Sequence, residues 1–227
     1  MRAPISLVIP TLNAEPVLGV TLASLIEGIS AGLIRELVVT DGGSSDETLL
    51  IAREAGAEII KGAAGRGGQL RRGADAAKGE WLLFLHADTQ LSAGWSEIVQ
   101  EHIKAHTGPA SFQLQFDTTG VMAWFVAGWA NFRTRFFGLP YGDQALLIRR
   151  EDYDAVGGYL DIPLMEDVAL VRALPQRVRI LPATAKTGAS RYKAEGWLRR
   201  GARNLIVLTR YFLGVDPEKL SQSYNRR

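Results

Sequence analysis

The stretch Gly79-Glu80-Trp81-Leu82-Leu83-Phe84-Leu85-His86-Ala87-Asp88 passes from five consecutive apolar side chains, residues 81–85, directly to a histidine and a carboxylate. An unbroken apolar run of that length fits a strand buried on both faces, as strands are inside a parallel sheet covered by helices. A carboxylate just after such a strand is costly to hold unless hydrogen bonds or a cation satisfy it. The same pattern recurs on the N-terminal side. Residues 5–9 (ISLVI) are stopped by Pro10, residues 37–40 (LVVT) end in the turn cluster Asp41-Gly42-Gly43-Ser44-Ser45, and residues 58–61 supply another short strand. Helical spacing separates them over residues 14–29, 46–55 and 70–77. The first has Val17, Leu18, Leu22, Leu25 and Ile29 along one side, and Ser44 or Ser45 suits the N-cap of the second. Apolar strands joined by helices predict an α/β domain whose mostly parallel central sheet has helices on both faces. Ligands of such sheets bind beyond the carboxyl ends of the strands.

Further along, residues 111–117 alternate like a strand, residues 120–137 form an aromatic helix, and residues 145–149 form a strand. Residues 166–174 form a helix ended by Pro175. Residues 197–212 project as a basic amphipathic helix, with Arg199, Arg203 and Arg210 on one side and Trp197, Leu205, Leu208 and Phe212 opposite. The net charge of +2 conceals an asymmetry: residues 186–227 hold 10 Lys and Arg against 3 Asp and Glu, and the preceding body is acidic. A basic tail implies an anionic partner such as a diphosphate or a lipid surface, or else a solvated helix. The expected arrangement has the arginines facing lipid headgroups or a phosphorylated acceptor while the apolar side packs on the domain.

With 227 residues, 47% of them hydrophobic, the chain can bury one substantial core. The absence of cysteine excludes a disulfide framework and a thiolate zinc site. The N-terminus MRAPISLVIPTLN lacks the apolar segment of a signal peptide, and the longest apolar run, residues 121–130, is about half of what a spanning helix needs. A cytoplasmic chain is expected, at most touching the inner face of a membrane through residues 197–212.

Along the strand ends, Pro10-Thr11-Leu12-Asn13, Asp41-Gly42 and His86-Ala87-Asp88 converge on one crevice. Asp41 taken alone also suits a turn former or helix cap. Asp88 suits a hard cation, Mn2+ or Mg2+, which takes one or two carboxylates and completes its shell with phosphates and water. His86 is a second ligand, a ribose contact or a satisfied strand-end histidine. Gly65-Arg66-Gly67-Gly68 with Arg71 and Arg72 offers flexible backbone and cations for phosphate. It is neither a dinucleotide fingerprint nor a P-loop. His102 and His106 lie four apart on a helix without an HExxH pattern and are expected at the surface.

Taken in order, Pro10-Thr11-Leu12-Asn13, the segment from Val39 to Thr48, the segment from Gly79 to Asp88, and Met165-Glu166-Asp167-Val168 resemble the inverting glycosyltransferase family 2 over roughly residues 5–175. The resemblance implies a GT-A fold over residues 1–185, with a nucleotide-sugar half (1–108), an acceptor half (109–185) and a helical extension (186–227). It implies a nucleoside-diphosphate-sugar donor, UDP foremost, held by Pro10, Thr11, Asn13, Asp41, Gly42, Arg66, Arg71, His86, Ala87 and Asp88. A metal, Mn2+ or Mg2+, would sit on Asp88 with His86. Asp167 would be the base that deprotonates an acceptor hydroxyl, beside Glu166, with Asp143, Gln144 and Trp197 on the acceptor side. The acceptor would be phosphorylated or lipid-linked. Four departures stand out: Asp41-Gly42 replaces a pair of aspartates, His86 replaces the first acid of a DxD, Arg71 stands where many members place Asn, and no QxxRW is present. Residues 137–144 and 162–165 resemble a small stand-alone bacterial branch associated with radical-SAM proteins and arsenosugar synthesis. Two other readings compete. A sugar-nucleotide nucleotidyltransferase would need a glycine-rich loop where PTLNA stands, and a non-catalytic membrane-associated protein would have no use for Asp88 and Asp167. Nucleic acid is not an expected partner, because the tail lacks a reader fold.

Overall fold

The computed structural model describes residues 2–225. Strands β1 (Ile5–Thr11), β2 (Ile34–Asp41), β3 (Glu58–Lys61) and β4 (Trp81–Phe84) lie in the order β3-β2-β1-β4, every pair parallel. Alternation along them divides the core into two layers. Ile5, Leu7, Ile9 and Leu83 pack on one face of the sheet with Trp95 and Phe112, whereas Val8, Val38, Leu82 and Phe84 pack on the other with Leu70, Tyr153 and Tyr159. Both faces are dry, which is why these strands read as continuous apolar runs.

The helices between them are α1 (Glu15–Ala23), α2 (Ile26–Ser30), α3 (Thr48–Glu54) and α4 (Arg66–Ala76). The single helix expected over residues 14–29 breaks at Ser24-Leu25, where the Trp95 indole N–H donates to the Ser24 carbonyl at 3.0 Å. Ile29, expected inside, is consequently exposed. No serine caps α3; the Asp46 carboxylate instead accepts from the Thr48 backbone N–H at 3.1 Å. The glycine-rich segment is not a flexible loop but the first turn of α4. A side chain at Gly67 would place Cβ 2.1 Å from the Leu160 carbonyl oxygen, so glycine is what lets residues 160–162 lie on the helix start.

The sheet continues through β7 (Leu146–Arg149), β6 (Ala110–Phe116), β8 (Arg179–Thr187) and β5 (Thr89–Leu91). It is parallel over β3-β2-β1-β4 and mixed beyond, because β7 runs antiparallel to both β4 and β6. β5 runs antiparallel to β8, so residues from both sides of the division expected at residue 108 share one sheet. The boundary expected after residue 185 falls inside β8, and residues beyond it are no detached extension. The remaining helices are α5 (Trp95–Ala105), α6 (Val121–Phe137), α7 (Arg150–Ala155), α8 (Glu166–Ala173), α9 (Ser190–Glu195), α10 (Trp197–Phe212) and α11 (Pro217–Asn225). On α5, His102 is buried rather than at the surface and holds the Gly108 carbonyl at 2.9 Å, whereas His106 is exposed.

Helix α10 meets the expectation only in part: Leu208 is buried and Trp197 packs on Phe116 and Tyr192, but Leu205 and Phe212 are exposed. Arg200 and Arg203 both pair with Glu195, Arg203 lies over the Tyr224 ring at 4.5 Å, and Arg210 donates to Ser223 Oγ at 3.3 Å. Among the three arginines expected to face outward, Arg199 alone is fully exposed, while Leu198 is 71% and Leu213 78% exposed and Leu205, Ile206 and Phe212 are exposed too. Among the described residues no helix is long and apolar enough to cross a membrane.

Helix α4 approaches β1 so closely that a Cβ on Gly73 would lie 2.3 Å from Val8 Cγ1. In an open helix Gly→Ala stabilises by about 1 kcal/mol. Here overpacking, at about 1–3 kcal/mol, outweighs that gain. Gly73→Ala should therefore lower the urea midpoint, and a raised midpoint would refute the close approach.

Candidate active site

A cavity of about 540 Å3 opens beyond the carboxyl ends of β1 and β4. Pro10 to Ala14 follow β1, His86-Ala87-Asp88 follow β4, and Gly65 and Arg66 come from the start of α4. Tyr141-Gly142-Asp143 enter from the 3-10 turn Gly142–Gln144, and Leu164 to Val168 from the start of α8. Gly188, just after β8, and Arg191, Tyr192, Arg200, Asn204 and Tyr224 from the C-terminal helices close it.

Ten of the residues singled out from sequence line this cavity: Pro10, Thr11, Asn13, Arg66, His86, Ala87, Asp88, Asp143, Glu166 and Asp167. Five do not. Asp41 is buried and its carboxylate is occupied by the turn after β2, accepting from the Thr11 hydroxyl at 3.1 Å, the Gly43 N–H at 2.8 Å, and the Ser44 N–H at 2.9 Å. Burial pushes its pKa up, but these bonds outweigh burial and hold the carboxyl below its ordinary value. Gly42 gives its N–H to the Thr11 carbonyl at 2.9 Å and lies against Ala64 and Gln69. Arg71 is exposed outside the cavity. Gln144 is buried in the core, accepting from Thr134 Oγ1 at 2.8 Å and donating to the Phe112 carbonyl at 3.2 Å. Trp197 packs with Phe116 and Tyr192, each ring 5.0 Å away.

The carboxylates of α8 are delivered by strain. Met165 sits at φ 70°, in the left-handed region that a non-glycine residue enters at a cost of about 1–2 kcal/mol. The turn it makes puts Glu166 and Asp167 at the N-terminus of α8, where the helix dipole favours negative charge. Burial nevertheless dominates. It pushes Glu166, 2% exposed, up to about 7, helped by the charge of Asp167 and opposed by Arg66, whose Nη1 lies 3.4 Å from Glu166 Oε1. Burial raises Asp167 as well, against the charge of Arg66 and the Gly142 N–H, which donates to Oδ2 at 2.9 Å. Asp143 is pushed up to about 6 by burial, opposed by Arg133 and reinforced by Asp167 and Asp88. Gly142 is required here: a Cβ would lie 2.3 Å from His86 Nε2 and 2.8 Å from Asp167 Oδ2. His86 is held well below its ordinary pKa by burial and by the charges of Arg66 and Arg191, so it is neutral.

Asp88 is exposed, with the Thr89 hydroxyl at 3.5 Å. Among the described residues no three His, Cys, Asp or Glu side chains are grouped to hold a metal ion. One carboxylate in an open cavity fits a hard cation that completes its shell with phosphate oxygens and water. His86 fits the metal less well, because Nε2 is enclosed against Gly142 without a hydrogen-bond partner.

Sequence reasoning missed Gln69, Tyr141, Arg191, Arg200, Asn204 and Tyr224 in the lining. Gln69 Nε2 donates to the carbonyls of Thr11 and Thr40, both at 2.8 Å, tying the ends of β1 and β2 together beneath the cavity. Gly188-Ala189-Ser190-Arg191, a small-residue break followed by arginine, was the one local signal available.

The raised pKa of Glu166 has a consequence for stability. Between the unfolded value of 4.5 and about 7 the folded chain holds a proton that the unfolded chain has released. The stabilisation is complete below 4.5 and is lost as pH rises through 7. From about pH 5 to about pH 8 the melting temperature should fall further for the wild type than for Glu166→Gln. Parallel pH curves for the two proteins would contradict the burial.

Comparison with known proteins agrees with this architecture. The family model "Glycosyl transferase family 2" matches residues 6–136. A "PGL/p-HBAD biosynthesis glycosyltransferase" from Mycobacterium bovis is 42% identical over 99 residues, covering 40% of this chain and 38% of the relative. A glucosyl-3-phosphoglycerate synthase from Mycolicibacterium smegmatis is 34% identical over 93 residues, covering 37% of this chain and 30% of the relative. The chain thus spans well under half the length of these curated relatives. Among solved structures, a mannosyltransferase from Pyrobaculum calidifontis in complex with GDP-Man and Mn2+ superposes with a TM-score of 0.66 at 16% identity, covering 91% of this chain and 63% of that one. The glucosyl-3-phosphoglycerate synthase of Mycobacterium tuberculosis with Mn2+, UDP and glucosyl-3-phosphoglycerate gives 0.56 at 19% identity, covering 82% and 70%. The fold is the GT-A fold these structures share. Matched over more than half of its length, the chain belongs to glycosyl transferase family 2.

Proposed function

We propose that the chain transfers a sugar from a UDP-sugar to an acceptor hydroxyl with inversion at the anomeric carbon, using Asp167 as the general base. The observation that carries this reading is the polarity of the cavity. Buried carboxyl groups of raised pKa, Asp167 and Glu166, line it together with the exposed strand-end carboxylate Asp88 and two cations, Arg66 from α4 and Arg191 from α9. A displacement that inverts the anomeric centre needs a proton acceptor on one face of the sugar and charge stabilisation for the leaving diphosphate on the other. Asp167 takes the acceptor proton. Its raised pKa brings its basicity closer to that of the hydroxyl it must deprotonate, and the Gly142 N–H fixes the carboxylate plane. Arg66 and Arg191 meet the negative charge that develops on the diphosphate.

Asp88 would hold Mn2+ or Mg2+, which when bound supplies Lewis-acid charge at the diphosphate oxygens. The structural neighbours holding GDP-Man with Mn2+ and UDP with Mn2+ support a nucleoside-diphosphate-sugar donor and this ion, and the second supports UDP. Pro10, Thr11 and Asn13 would line the nucleoside. Arg200, with Tyr192, Asn204 and Tyr224, faces the acceptor end and suits an anionic group, which favours a phosphorylated acceptor over a lipid-linked one. Residues 137–144 and 162–165 both contribute to the cavity lining, through Tyr141 to Asp143 and Leu164, and we extend the proposal to the small bacterial branch they resemble. Action in the cytoplasm belongs to the same reading.

A thermal-shift screen of UDP-, GDP- and dTDP-sugars with and without Mn2+ should show the largest rise for a UDP-sugar with Mn2+. Asp88→Ala should abolish the Mn2+-dependent part of that rise. Asp167→Asn should keep donor binding and lower kcat by about 10^2–10^4-fold. Wild-type turnover by Asp167→Asn would remove the base from Asp167. The acid limb of the pH–rate profile should lie above the ordinary carboxylate range, because burial raises both Glu166 and Asp167.

A further inference from the structure

Helix α6 is built inside out. Its inward side is made of small or hydrogen-bonded residues: Ala123, Ala130, and Thr134, whose hydroxyl donates to the Ala130 carbonyl at 3.0 Å. Its outward side carries Val121 (81% exposed), Trp124 (76% exposed), Phe125, Trp129, Phe132 and Phe136. A helix apolar all round is ordinarily buried all round. Each aromatic side chain carries about 150–250 Å2, so this side leaves on the order of several hundred Å2 of apolar surface in water, more than a free monomer usually tolerates. Helix α10, which packs beside α6, adds the outward-turned leucines and isoleucine already described.

The charge pattern says what covers this surface. Across α6 and α10 there are six arginines, Arg133, Arg135, Arg199, Arg200, Arg203 and Arg210, and no carboxylate. Arg135 stands on the outward side of α6 and Arg199 is exposed on α10. Two copies meeting face to face about a two-fold axis would bring these like charges together with nothing to neutralise them. An anionic bilayer surface accepts both features, tryptophan and phenylalanine at the headgroup boundary and arginine at the phosphates. We propose that the outward side of α6, with the adjoining outward side of α10, is a docking surface for an anionic lipid bilayer. This differs from docking through Arg199, Arg203 and Arg210 together, since Arg203 and Arg210 are engaged by Glu195 and Ser223, and it holds whether or not the transferase chemistry is as proposed.

The test uses the full chain with phosphatidylcholine vesicles and with vesicles containing phosphatidylglycerol. The chain should sediment with the phosphatidylglycerol vesicles in preference to the others. Trp124→Ser combined with Val121→Ser should reduce the bound fraction about tenfold or more with little change in melting temperature, since these side chains are 76% and 81% exposed. Should that variant fail to fold, the wild type still decides, because brominated lipids should quench its tryptophan fluorescence through Trp124 and Trp129 while Trp81 and Trp95 are buried. Sedimentation with neither vesicle, or equal binding by the folded double variant, would overturn the proposal. So would a wild-type dimer that the double variant converts to monomer, which would assign the face to a second copy.

Discussion

The site depends on one guanidinium. The charge of Arg66 acts on Glu166, Asp167, Asp143 and Asp88 together, and it is the cation within salt-bridge distance of the buried Glu166. Three of those carboxyl groups are pushed up by burial, so without Arg66 they would be neutral over a still wider pH range. Arg66 reaches them because it opens a helix whose second and third residues are glycine. A Cβ at Gly68 would lie 2.6 Å from Asp161 Oδ1, and one at Gly67 would strike the carbonyl of residue 160. The glycines therefore serve the electrostatics by permitting the approach of residues 160–162, which lead through Met165 into the acidic turn.

Two opposing effects act on that turn, and their magnitudes settle its protonation. A helix N-terminus favours a carboxylate by about 0.3–1 kcal/mol. A shift of one pKa unit corresponds to about 1.36 kcal/mol, and Glu166 moves from 4.5 to about 7 in the direction opposite to the dipole. Desolvation together with the neighbouring Asp167 therefore exceeds the dipole and the ion pair combined. The pair holds a proton near neutrality, and each member sets the basicity of the other. Burial keeps His86 neutral, and Arg66, which restrains the carboxyl groups, acts in the same direction as burial there.

The first half of the fold was legible because buried parallel strands are written as apolar runs, and the strand-end residues inherit their place from those runs. The second half was not. Strand β8 reads Arg-Ile-Leu-Pro-Ala-Thr-Ala-Lys-Thr, whose inward positions after Leu181 are Ala183, Ala185 and Thr187, too small to signal a core strand. Three-residue β5 is shorter than any period can reveal. Within the site, the carboxylates Asp88 and Asp167 were legible through motif order. Asp41 and Gln144 were misplaced because sequence shows that a polar group sits near a strand end but not whether the backbone consumes it. Asp41 and Gln144 are each held by hydrogen bonds of the turn or core.

Helix α10 shows the limit of an amphipathic pattern most plainly. Periodicity separates two faces and is silent on which one faces in, since an apolar core and a set of buried acceptors both recruit a helix. Here Glu195, Tyr192 and Tyr224 decide it: Arg200 lies over Tyr192 and pairs with Glu195, and Arg203 does the same with Tyr224 and Glu195. Turning the helix to bury Leu198 and Leu205 would strip these contacts and withdraw Arg200 from the cavity wall. Completing the site and exposing an apolar surface are therefore one structural event. The orientation of α10 that places Arg200 in the cavity wall is the one that buries Val207 and Leu208 and leaves Leu198 and Leu205 in solvent.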